Sequence, residues 1–99
     1  MEDYSVKFDE LRKNRVAVSQ HKYGSAKKNF ATGNVNALES MELCLKKYKE
    51  TKNTEYLCDA ANYLMFEFMF PQIKGHISKQ RIPKTLQVSL VSAKKKWKN

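Results

Sequence analysis

Apolar residues recur along most of this chain at helical spacing, and one segment is apolar almost throughout. Tyr4, Phe8 and Leu11 share one helix face, which predicts a first helix over residues 3–18. The pattern loosens after Arg15. Residues 19–34, with Gly24, Gly33 and several polar side chains, read as a long connection pinned by Tyr23 and Phe30. Asn36 is a good N-cap, and Glu39 three positions later completes a capping-box pattern. Leu38, Met41, Leu45 and Tyr48 then form an apolar stripe on a helix reaching about Glu50. Thr51-Lys52-Asn53 is a turn, and Asn53 or Thr54 caps the next helix, which Pro71 stops. That helix, Glu55 to Phe70, is apolar nearly all round, so it is expected at the buried centre with Leu64 and Phe68 in its core. Its polar residues Glu55, Asp59 and Asn62 fall on one face, and Glu67 lies off it.

Beyond Pro71 two patterns compete. Leu86, Val88 and Leu90 alternate like a strand, whereas Ile82, Leu86, Leu90, Ala93 and Trp97 recur like a helix, with Pro83 suited to its first turn. A lone strand has nothing to pair with, which favours the helix. The expected fold is all-α: three to four helices around a central antiparallel hairpin of about 36–50 and 54–70.

Charge divides the chain unevenly. From Phe70 to Asn99 there are eight basic residues and no acid, whereas residues 1–69 carry eleven basic and ten acidic side chains, a net of +1. A near-neutral helical domain over residues 1–75 is therefore expected to carry a basic tail over 76–99. A second, milder positive zone runs from Leu11 to Leu38, with six basic residues and no acid. No apolar run approaches the length of a membrane span, and the polar N-terminus lacks a signal peptide. Two cysteines, Cys44 and Cys58, are too few for a disulfide scaffold, so a reducing cytoplasm is the expected compartment. They are expected to pack as small hydrophobes, facing each other across the hairpin. At 99 residues the core is small, and association between copies would help it.

Two constellations could carry chemistry. In the tail, Lys79, Arg81, Lys84, Lys94, Lys95 and Lys96, with Trp97 as a stacking surface, could bind DNA or RNA electrostatically. A solvated basic terminus is the plain alternative. On the hairpin, Glu39 and Glu42 on one helix and Asp59 on the next could converge on Mg²⁺. These spacings resemble the MazG-type all-α nucleotide pyrophosphohydrolases, which use a glutamate pair three apart on one helix and a Glu…Asp pair on the next. The resemblance covers about 30 residues, and it implies Mg²⁺-dependent release of pyrophosphate. Two departures stand against it: Leu38 replaces the further glutamate before Glu39, and Tyr56 stands three before Asp59, with the acid Glu55 one position earlier. The plain alternative makes Glu39 a cap, Glu42 the ion-pair partner of Lys46, and Asp59 and Glu55 a solvated face.

Residues 8–74 resemble a family of small uncharacterised proteins from bacteriophages and other mobile elements of Gram-positive bacteria. The matching stretches are Phe8 to Lys28 and Lys47 to Gln72, the latter reading KYKETKNTEYLCDAANYLMFEFMFPQ. The family supplies no activity. In that setting the leading expectation is a non-enzymatic, partner-binding accessory protein in the cytoplasm of a bacterial host, with no cofactor. The expected partner is a host protein or a nucleoprotein complex, and an anti-defence inhibitor is one form of that role. Members of the family end in a motif like Ala-Thr-Asp-Ser, followed by Ser and Gly. Here the chain reads GHISKQRIPKTLQVSLV from Gly75. One choice of codons for that stretch, read one base earlier from His76, gives AYFKATDSKDSAGIVG, each shifted codon taking its last two bases from a residue present. The tail is thus expected to be a frameshifted form of the family's C-terminus, its basic charge a product of reading frame.

Overall fold

The computed structural model describes residues 2–81. Three α-helices and a short π-helical turn follow one another: α1 (Val6–Tyr23), the π-helical turn (Lys27–Ala31), α2 (Ala37–Thr51) and α3 (Glu55–Met69). The described residues contain no strand, and the fold is all-α as the pattern predicts. The strand-or-helix question over residues 82–97 lies outside the described residues.

The hairpin forms where its local signals place it. The Asn36 side chain accepts from the Glu39 N–H at 3.0 Å, capping α2. At the other end Lys52 adopts a left-handed conformation (φ 61°) and its N–H donates to the Tyr48 carbonyl at 2.7 Å. Thr51 Oγ1 donates to the Lys47 carbonyl at 2.8 Å and accepts from the Asn53 N–H at 3.2 Å. Asn53 Oδ1 then accepts from the Glu55 N–H at 3.0 Å, whereas Thr54, at the N-cap position, makes no side-chain cap. So short a turn makes α2 and α3 antiparallel neighbours.

The first helix is longer than its apolar pattern indicates. It runs to Tyr23, where Gly24 (φ 86°) closes it by donating to the Gln20 carbonyl at 3.0 Å. The expected connection over 19–34 therefore holds the last turns of α1 and the π-helical turn. The reason is that none of the α1 residues is fully buried. The helix touches its neighbour along a narrow strip, and a narrow strip leaves a weak periodic signal.

Helix α3 is the element against which both α1 and α2 pack. It is central in the topology but not enclosed. Leu64 is 50% exposed and Phe68 79%, so the expectation that both lie in the core is wrong. Two flanking helices cover about two sides of a cylinder, and the apolar residues on the remaining side stay in solvent. The core cluster is instead Phe30, Ala37 and Phe66, with Val16, Val35 and Tyr63 packed against it. Phe30 stacks on Phe66 with ring centroids 4.6 Å apart and meets Tyr63 edge-on at 6.0 Å.

Candidate interaction surface

Polar residues on α3 clamp α1 onto the hairpin. Arg15 grips Asp59 through both carboxylate oxygens: Nη2 donates to Oδ2 at 2.9 Å, and Nε donates to Oδ1. Arg15 Nη1 also lies 3.8 Å from Glu55. The buried Asn62 donates Nδ2 to the Arg12 carbonyl at 3.0 Å, and Arg12 Nη1 reaches the Met65 sulfur at 3.3 Å. Asp59 and Asn62 therefore form the seam with α1, while Glu55 stays exposed at its edge. The Asp59 hydrogen bond raises the Arg15 pKa further above its already high ordinary value. Burial, and secondarily the charge of Asp59, raises the pKa of both Cys44 and Cys58. Both are buried free thiols, as expected of small hydrophobes.

Gln72 makes a second clamp. Its Nε2 donates to the carbonyls of Phe30 at 2.9 Å and Val35 at 2.7 Å, and its N–H donates to Glu67 Oε2 at 3.0 Å. The chain leaving α3 is thereby tied to the π-helical turn. A cavity of about 630 Å³ lies on this side, lined by Val16, Tyr23, Phe30, Tyr63, Phe66 and Met69 among others. Arg15, Asp59 and Asn62 also line it, but they already bond one another or the α1 backbone.

The opposite side of the hairpin is different in character. Leu57, Ala61, Leu64 and Phe68 are spaced i, i+4, i+7 and i+11, one continuous stripe on α3. Helical geometry sets that stripe across the helix from Asp59, Asn62 and Phe66, hence away from α1. On α2, Lys47 Nζ lies 6.0 Å from the Tyr56 ring centroid, which sets the Lys47 flank of α2 on the side of α3 away from the Leu57–Phe68 stripe. Leu38, Met41 and Leu45 project from the other flank, beside the α3 stripe. Leu45 is exposed, and Leu38, Met41 and Leu57 are half-buried. Among the described residues the result is one apolar face built from both helices of the hairpin, with Leu45, Leu64 and Phe68 its exposed members.

The residues singled out for chemistry do not gather. Glu39 and Glu42 are exposed on α2, whereas Asp59 is engaged by Arg15. Among the described residues no group of three or more His, Cys, Asp or Glu could hold a metal ion. Lys79 and Arg81 are exposed, and Lys84, Lys94, Lys95, Lys96 and Trp97 lie outside the described residues. Sequence reasoning missed Arg15 as the partner of Asp59, and Gln72 as a clamp. A signal for Arg15 did exist, since a row of polar residues on an otherwise apolar helix calls for a polar partner. Among the described residues no helix is long and apolar enough to cross a membrane. No protein-family model, curated protein or solved structure matches the chain.

Proposed function

We propose that this protein works by binding another protein and performs no catalysis. The observation that supports this reading is the apolar face of the hairpin, on which Leu45, Leu64 and Phe68 stand exposed among the described residues. Large exposed apolar patches on small proteins mark interaction sites. The resemblance of residues 8–74 to proteins of phages and other mobile elements supplies the setting: an accessory protein in the bacterial cytoplasm, acting on a host protein or nucleoprotein complex, for instance as an anti-defence inhibitor.

The pyrophosphohydrolase reading fares worse, because Asp59 is committed to Arg15 and does not stand free beside Glu39 and Glu42. Electrostatic binding of DNA or RNA by the tail is a separate proposal that rests on sequence charge alone. It requires affinity to fall steeply with salt as counterions are no longer released.

Site-directed photo-cross-linking in cells tests the partner-binding reading. A photoreactive phenylalanine analogue at position 68 is expected to give a discrete cross-linked protein, and the same analogue at Val18, exposed on α1, to give none. Equal yields from both positions, or none from either, would overturn the reading.

A further inference from the structure

We propose that the partner seated on the hairpin face is a second copy of this chain, in a two-fold symmetric dimer that packs hairpin against hairpin. This rests on the partner-binding reading above and names its partner. Three observations carry it.

The first is charge arrangement along the edge of the face. On α2 the acids Glu39 and Glu42 lie in the N-terminal half and the bases Lys46, Lys47 and Lys49 in the C-terminal half, where Glu50 is the one acid, about 100° round the helix from Lys49. Glu42 and Lys49 are both exposed, seven residues apart, and so lie on the same flank, directly beside Leu38 and Leu45. A two-fold axis near Leu45 sets the two α2 helices antiparallel. Each Glu42 then stands opposite Lys49 of the other copy, and the reciprocal pair forms by symmetry. A parallel arrangement would instead set like charges together.

The second is spacing. Leu38 and Leu45 are seven apart, as are Met41 and Tyr48, and the α3 stripe repeats at four, three and four. Both patterns suit helix-on-helix packing. Each helix has 15 residues, about 22 Å at 1.5 Å per residue, so two hairpins meet along their full length as a four-helix bundle.

The third is the small core. The buried apolar residues are Phe30, Ala37, Cys44, Cys58, Ala60 and Phe66, while Leu64, Phe68 and Leu45 remain exposed among the described residues. Association would move these three out of water. The net charge of +1 over residues 1–69 keeps repulsion between the bodies small.

Sedimentation equilibrium of the full chain tests the proposal. The wild type is expected to be a dimer. Glu42→Lys and Lys49→Glu are each expected to raise the dimer dissociation constant about tenfold, by turning two attractive pairs into repulsive ones. The double exchange, Glu42→Lys with Lys49→Glu, is expected to restore it. Failure of the double exchange to recover, or a wild type that stays monomeric at every concentration, overturns the two-fold geometry. A monomer whose position 68 still cross-links to a different protein refutes the second-copy assignment alone. A monomer with no cross-link refutes the partner-binding reading as well.

Discussion

Phe66 and Leu64 sit two residues apart on α3 and should respond to truncation very differently. Phe66 is 8% exposed and stacked on Phe30, so Phe66→Ala is expected to cost about 3–5 kcal/mol in chemical denaturation. Leu64→Ala, at a half-exposed position, is expected to change monomer stability by no more than about 0.5 kcal/mol. Equal losses would refute the assignment of faces on α3. Asn62→Ala removes the bond to the Arg12 carbonyl from a buried site and is expected to cost about 1–3 kcal/mol, loosening α1 first. Faster hydrogen exchange in α1 than in the hairpin would show this. The raised pKa values of Cys44, Cys58 and Tyr63 give stability a sign with pH. Each group favours its neutral form in the fold, so its contribution is complete below the unfolded pKa and is lost as pH rises through the folded one. Stability is expected to fall above about pH 9, the ordinary thiol range, and Cys58→Ala to flatten that fall. An alkaline titration of unfolding free energy with the same slope in both proteins would contradict the thiol's part in it.

Among the elements, the hairpin was legible because its signals are local. Asn36 and Asn53 accept from nearby N–H groups, and Pro71 stops α3 whatever lies around it. The extent of α1 was not legible, because a helix resting on a narrow strip needs no broad apolar face. The exposure of Leu64 and Phe68 was hidden for a related reason. An apolar helix reads as buried, but which sides are covered depends on how many neighbours the chain supplies. The candidate site was legible in part: Asp59 and Asn62 were marked as one row, yet Arg15 lies 44 positions from Asp59, and only the tertiary fold joins them. One weakness of the hairpin is open to repair. Lys52 holds a left-handed conformation that glycine adopts without steric cost, so Lys52→Gly is expected to stabilise the fold by about 1 kcal/mol. A lowered denaturation midpoint would show that the lysine side chain contributes more than its backbone strain removes.

In the whole molecule the hairpin face lies outside the monomer's core, and in the proposed dimer it lies inside the interface. A domain this small with so few enclosed side chains gains from association, and association ties stability to concentration. The most direct measurement is the melting temperature of the full chain over a wide range of protein concentration, for the wild type and for Leu64→Glu combined with Phe68→Glu. The wild-type value is expected to rise with concentration. The double variant should keep the helical content of the wild type, with a melting temperature that does not depend on concentration. A wild type whose melting temperature ignores concentration, or a double variant that cannot fold, would contradict that placement of the face.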